Sequence, residues 1–176
     1  MINKMEIHKI FDFKNLSLSK DIIRNNGLCG IVIREYPGLI QCEWLENAFS
    51  ACGNKKVYFF TFEKNVDGFE IKLINCSKRD IFSHITDSIG QDLCIFSYDI
   101  SGIFFKFDDY YIICGKKIFI ERAYPVSFET SKEVFFCDFG ELSIRQRELL
   151  SSVWETYASN SCYGMSSGGG FEKPSG

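Results

Sequence analysis

Two small sets of residues have the types that catalytic sites use. Cys29 could act as a nucleophile with His84 as its base, and Asp108 and Asp109 could share general acid–base work. However, Cys29 lies in the apolar run LCGIVI, whereas a reactive thiol needs an accessible, electropositive setting. Neighbouring residues of a strand point to opposite faces, so adjacent aspartates make a poor catalytic pair. We therefore predict no catalytic residues and no enzymatic activity.

The common cofactor and metal motifs are missing from the sequence. The chain has two histidines, no CxxC pair and no GxxxxGK[ST] phosphate loop, and no GxGxxG follows a predicted strand. The segment GMSSGGG imitates GxSxG but lacks the strand–turn–helix setting that exposes a nucleophile. These observations predict that no cofactor and no metal is used.

The sequence pattern predicts the elements that would position any site. Capping residues and helical spacing predict helices at residues 18–26, in GLIQCEWLENAFSACGN, in SKRDIFSHITDSIG and in SIRQRELLSSVWETYAS. Apolar runs predict strands in LCGIVI, KVYFF, DLCIFSYD, GIFFKF, YYIICG and EVFFCDF (133–139), whereas KKIFIERAYP fits a short helix or a strand. We expect an α+β fold with a mixed, mostly antiparallel sheet and four to five helices packed on it. Residues 1–159 should form one domain, followed by a flexible Gly/Ser-rich tail at 160–176.

Composition points to a cytoplasmic globular protein. No apolar run is long enough to cross a membrane, and MINKMEIHKIFDF lacks the unbroken apolar stretch of a signal peptide. The eight cysteines are widely spaced among apolar neighbours, which favours reduced, buried thiols over a disulfide framework. His84 lies off the apolar face of its helix and should be exposed.

The acidic charge is concentrated in the middle of the chain. Residues 87–148 hold 7 basic and 11 acidic side chains, a net charge of −4, within a chain whose net charge is −3. Nucleic-acid binding needs concentrated lysine and arginine, so direct nucleic-acid contact is not expected. An acidic surface suits a basic protein partner, because opposite charge speeds encounter and selects partners.

Asp108 and Asp109 lie where two aromatic strands must reverse. Aspartate suits turns, so a hairpin corner is the simplest structural interpretation. A turn also presents its side chains on a rigid scaffold. By alternation, one of Tyr110 and Tyr111 should face the core and the other should lie at an edge or in solvent.

The segment DDYYIICGKKIFIERAYP (108–125) resembles a pattern in immunity proteins of bacterial contact-dependent growth inhibition and related polymorphic toxin systems. In those proteins an aromatic strand leads into a GKKIFIERAYP-like segment of a small α+β domain. The resemblance implies that the chain binds and blocks a cognate toxin, often a nuclease. It carries over no common set of binding residues.

Candidate binding residues therefore follow from charge. A nuclease binds phosphate through cationic residues, which carboxylates of an inhibitor can neutralise. The first candidates are Asp99, Asp108, Asp109, Tyr110 and Glu121, followed by Asp138 and Glu141. A generic adaptor or regulatory protein-binding domain is the second hypothesis, and a cysteine-dependent enzyme is the third.

Overall fold

The computed structural model describes residues 11–12, 17–19, 27–62, 70–107 and 109–158. The strands are β1 (Phe11–Asp12), β2 (Ser17–Leu18), β3 (Cys29–Ile33), β4 (Lys56–Phe62), β5 (Lys72–Asn75), β6 (Asp92–Phe96), β7 (Gly102–Lys106) and β8 (Tyr111–Gly115). The helices are α1 (Leu39–Ala51), α2 (Lys78–Asp87), α3 (Lys117–Ala123), α4 (Phe128–Phe136) and α5 (Ile144–Tyr157), with a 3-10 helix at Phe139–Glu141.

Six of these strands form one antiparallel sheet in the order β3-β8-β7-β6-β4-β5, and β1 and β2 form a separate pair. The predicted α+β class is confirmed. Strands that follow each other along the chain are neighbours at β4–β5, β6–β7 and β7–β8, whereas the connections through α1 (β3 to β4) and α2 (β5 to β6) pass over intervening strands.

Alternation along the strands gives the sheet two apolar faces. The first face packs against α1, α2 and α3, and the second packs against α4, α5 and Phe11. On β8, for example, Tyr111 and Ile113 belong to the first face, and Ile112 and Cys114 belong to the second. The sheet is therefore the middle layer between two layers of helices.

Local capping explains where several helices begin. The Ser77 hydroxyl accepts a hydrogen bond from the Asp80 amide at the start of α2. At the start of α5, Ser143 and Gln146 form the predicted capping box. These bonds satisfy amides that have no partner within the first helical turn.

The predicted strand at 133–139 is wrong, because this segment forms the end of α4 and the 3-10 helix. Its aromatic residues favour a strand by propensity, but Ser127 caps the segment by accepting from the Thr130 amide. The buried residues of α4, Ser131 and Phe135, lie four apart on one helical face. Tertiary packing thus overrides the local preference.

Two other predictions concern segments that the structure describes only in part or not at all. The predicted helix at 18–26 is wrong at Leu18, which pairs with Phe11 in the β1–β2 ladder, and residues 20–26 lie outside the described ranges. The tail predicted at 160–176 also lies outside them.

Candidate functional site

Two chain segments meet at the end of the sheet where β3 stops and β7 turns into β8. Ile33 pairs with Tyr111, and Lys106 pairs with Tyr111 from the other side. The Phe107 amide donates to the Tyr110 carbonyl at 2.8 Å and closes the β7–β8 turn. Residues 34–36 therefore lie beside Phe107, Asp109 and Tyr110 beyond the strand ends. Asp108 lies outside the described residues.

The two tyrosines of this turn face opposite sides of the sheet, as alternation predicts. Tyr111 is buried on the first face, whereas Tyr110 is half-buried on the second and packs on Phe107 with ring centroids 4.6 Å apart. Burial, followed by the charges of Tyr157, Asp92 and Asp109, raises the pKa of Tyr110. Tyr110 is therefore a neutral hydroxyl at neutral pH, beside the exposed carboxylate of Asp109.

An arginine clamp joins the 3-10 helix to the end of β3. The Arg34 guanidinium donates to both carboxylate oxygens of Asp138 and to the carbonyl of Phe135 at 3.1 Å. It also lies 5.5 Å from the ring centroid of Phe139. A two-pronged arginine–carboxylate pair fixes geometry as well as charge. The clamp therefore holds the 3-10 helix at the end of β3.

Glu141 is brought to this end of the sheet by the same clamp. Its amide donates to the Asp138 carbonyl at 3.0 Å, and its side chain is exposed. We name this surface the acidic end and define it by Glu35, Tyr36, Asp109, Tyr110, Asp138 and Glu141. The carboxylate of Asp138 is paired with Arg34. Glu35, Asp109 and Glu141 are exposed.

The other two predicted binding residues lie elsewhere. Asp99 is in the β6–β7 turn at the opposite end of the sheet, where it accepts from the Ser101 amide and hydroxyl and lies 3.6 Å from the Lys116 ammonium. Glu121 is on α3 and pairs with Lys117 one helical turn away, at 3.8 Å. The structure thus places Asp109 and Tyr110 in the turn next to the end of β3, and ties Asp138, with Glu141 after it, to the end of β3 through Arg34. Asp99 and Glu121 are held by other contacts.

Sequence reasoning missed three residues of this region. Arg34 gave no local signal, since its partner Asp138 is 104 positions away. Glu35 and Tyr36 are exposed immediately after a fully buried strand. That abrupt change from CGIVI to charged and aromatic residues was the available signal.

The cysteine and histidine predictions are corrected in two places. Cys29 is disulfide-bonded, so the expectation of reduced thiols is wrong there. Wide spacing in sequence does not prevent two thiols from meeting in space. His84 is half-buried rather than exposed: its Nδ1 lies 2.8 Å from the Asp80 carbonyl, and its ring packs on Phe59.

This geometry separates the proposed nucleophile from its base. Cys29 lies on edge strand β3, whereas His84 packs on β4, four strand spacings or roughly 19 Å away. Among the residues that the structure describes, six other cysteines are free thiols, and burial raises the pKa of Cys42 and Cys114 to about 12 and of Cys76 to about 11. A thiol with a raised pKa is a weak nucleophile at neutral pH.

The Arg34–Asp138 pair should make the free energy of unfolding depend on pH in the acid range. The hydrogen bond from Arg34 is the main cause that holds the pKa of Asp138 below its ordinary value. The contribution of the pair is complete above the unfolded-state pKa of about 3.9 and is lost as pH falls through the lower folded-state value. In urea titrations, wild type should be more stable than Asp138→Asn at pH 7 and 5, and the difference should shrink towards pH 3. A difference that is unchanged at pH 3 would contradict a charge-dependent clamp.

No family model, curated protein or solved structure matches this chain. Within the described ranges, none of the helices combines the length and the apolarity that crossing a bilayer requires. In the same ranges, no three histidine, cysteine, aspartate or glutamate side chains gather closely enough to hold a metal ion.

Proposed function

We propose that this chain is an immunity protein that binds and neutralises a cognate bacterial toxin domain, a nuclease, through the acidic end. The observation that carries the proposal is the exposure of Asp109 in the β7–β8 turn and of Glu141 on the 3-10 helix that Arg34 ties to the end of β3, with Tyr36 and Tyr110 at the same end of the sheet. The resemblance of residues 108–125 to immunity proteins supports the same conclusion.

The chemistry of the acidic end suits a basic partner. Nucleases bind the phosphate backbone through lysine and arginine, and carboxylates on an inhibitor complement those charges. Tyr36 is 52% exposed and supplies a large, amphipathic contact area beside the acids. Asp138 has a different role in this proposal: its pairing with Arg34 positions Glu141 and leaves less of its own charge for a partner.

The proposal is tested by co-expression in bacteria with the toxin domain encoded next to this chain. Wild type should restore growth. The variant carrying both Asp109→Lys and Glu141→Lys should bind the toxin at least about tenfold more weakly and should fail to restore growth, because two attractive charges become repulsive. Binding is measured with purified proteins, and circular dichroism establishes that the variant is folded.

A matched charge reversal separates a local effect from a general one. Glu155 is exposed near the carboxyl end of α5, whose last residue lies against Gly30 at the other end of β3. Glu155→Lys should therefore leave rescue intact. If Glu121→Lys abolishes rescue and the double variant does not, the interface lies on α3 instead. If folded wild type fails to rescue at all, the immunity function is wrong for that toxin, and the adaptor hypothesis takes its place.

A further inference from the structure

Three large apolar side chains are exposed where the chain passes from the acidic end into α1. Tyr36 is 52% exposed, Leu39 is 50% exposed and Ile40 is 62% exposed. Residues 36 to 40 span at most about 14 Å even when fully extended, so these side chains share one small area of the surface. We name them the apolar ledge. Single exposed apolar side chains are normal on a protein, whereas a group of them beside polar residues is typical of an interaction site.

The backbone of the apolar ledge is held in a defined conformation. Pro37 is buried in the middle of the stretch, and its ring fixes the backbone angle φ. The Gly38 amide donates to the side-chain oxygen of Gln41 at 3.0 Å, and the Gly38 carbonyl accepts from the Cys42 amide at 3.0 Å. These bonds fix the point at which α1 begins. A surface that is ordered before binding loses less conformational entropy in a complex.

A buried lysine restrains the ring of Tyr36. Lys106, the last residue of β7, is 3% exposed, and its ammonium lies 5.5 Å from the centroid of that ring. The ammonium also donates a long hydrogen bond, 3.5 Å, to the Gln91 carbonyl. A cation–π contact is stronger where the cation is removed from water. The contact therefore orders a side chain that is otherwise half in solvent.

The charge beside the apolar ledge is acidic. Glu35 immediately precedes Tyr36, is exposed, and takes part in none of the ion pairs found among the described residues. Further along α1, the Glu43 carboxylate is paired with the Lys78 ammonium at 2.6 Å. An apolar centre with a polar rim is the usual arrangement of a protein–protein interface. A surface that complements this one is apolar in the middle and basic at its border.

We propose that the apolar ledge is the energetic centre of the interface with the toxin domain, and that the carboxylates of the acidic end form its charged rim. This inference rests on the proposed immunity function and adds the chemistry of the partner surface. That surface is an apolar depression that receives Tyr36 and the first turn of α1, bordered by lysine or arginine. Most binding energy comes from a few desolvated anchors, among which tyrosine is enriched, whereas rim charges act mainly on the rate of association.

Two matched pairs of substitutions test the apolar ledge, with the toxin domain encoded next to this chain as the probe. Tyr36→Ala should weaken binding about 30-fold and Leu39→Ala about tenfold, mainly through faster dissociation. Tyr98→Ala and Leu73→Ala remove side chains of the same types that are 66% and 54% exposed. Tyr98 lies in the β6–β7 turn at the opposite end of the sheet, and Leu73 lies on β5, the edge strand farthest from β3. Both controls should bind like wild type.

A double-mutant cycle tests Lys106 as a positioning residue. Lys106→Met should weaken binding about threefold to tenfold while Tyr36 is present, and it should have no further effect in the Tyr36→Ala background. A merely structural role of Lys106 would weaken binding equally in both backgrounds. Circular dichroism and urea unfolding establish that each variant is folded.

The outcomes separate this inference from the function on which it rests. If folded wild type does not bind the toxin domain, the immunity function for that toxin and the ledge both fail. If wild type binds and the Tyr36 and Leu39 variants bind equally well, the immunity function stands and the ledge is not the centre of the interface. If the chain alone sediments as a dimer that Leu39→Ala converts to a monomer, the ledge serves self-association and the proposal is overturned.

Discussion

Replacing Gly30 by alanine should destabilise the fold by about 1–3 kcal/mol or more, the range for overpacking a closed contact. A Cβ atom at this position of β3 would lie under 3.0 Å from the carbonyl oxygen of Tyr157. That oxygen belongs to the main chain at the end of α5, so no side-chain rotation relieves the clash. The helix must move away from the second face of the sheet instead.

Gly140→Ala is the matched control for this change. Nothing lies within 4 Å of a Cβ at Gly140, and its backbone conformation suits any residue. Urea unfolding followed by circular dichroism should place Gly140→Ala within about 0.5 kcal/mol of wild type. Equal stabilities for the two variants would mean that α5 does not pack against β3 as closely as described.

The second large effect is expected at Phe119 of α3. Its ring is fully buried and fills the space above two glycines that face each other in the sheet, Gly102 on β7 and Gly115 on β8. A Cβ at Gly102 would lie 2.6 Å from Phe119 Cζ, and one at Gly115 would lie 2.7 Å from Phe119 Cδ1. Phe119→Ala should cost about 3–5 kcal/mol, because it leaves a cavity over bare backbone.

A double-mutant cycle tests whether the ring and the glycines form one unit. Gly102→Ala should destabilise wild type through its clash with the ring, but it should cost much less in the Phe119→Ala background, where the new methyl enters the cavity. Ile118→Ala, an exposed change on the same helix, should have little effect. Additive losses in the cycle would contradict the described packing of Phe119.

The elements that the sequence predicts well are those with local signals. The helix from Leu39 to Ala51 has apolar residues at helical spacing, and Gly53 follows it with a φ of 82° that favours glycine. The strands β6, β7 and β8 are short apolar runs joined by tight turns, which favour antiparallel neighbours. In these segments local preference and tertiary packing agree.

Even within correctly predicted helices, the apolar stripe does not say which residues are covered. Ile40 and Ile144 fit the helical spacing, yet they are 62% and 68% exposed. Each lies in the first turn of its helix, where the chain enters from the surface. The strand expected at 133–139 is wrong because the signal for a helix lies outside that segment: Ser127, which caps α4, precedes the aromatic run that suggested a strand.

The candidate site was less predictable than the fold because its geometry depends on distant contacts. Charge and residue type selected Asp99 and Asp109 equally, although they lie in the successive β6–β7 and β7–β8 turns and therefore at opposite ends of the sheet. The Arg34–Asp138 clamp joins segments that share no local pattern. Nothing in GIFFKF distinguishes a buried lysine at position 106 from one that reaches solvent.

The strand order also constrains when the acidic end can exist during synthesis. The strands β4 to β8 find their neighbours close by in the chain, but β3, the earliest strand of the sheet, pairs with β8, the last. As the polypeptide leaves the ribosome, β3 (CGIVI) has no strand to pair with until β8 emerges, because contacts distant in sequence form late. We therefore expect the acidic end, and with it the partner binding proposed above, to form only after β8 and the clamp residue Asp138 have been made. Ribosome-bound chains that stop before β8 should expose β3 to chaperones.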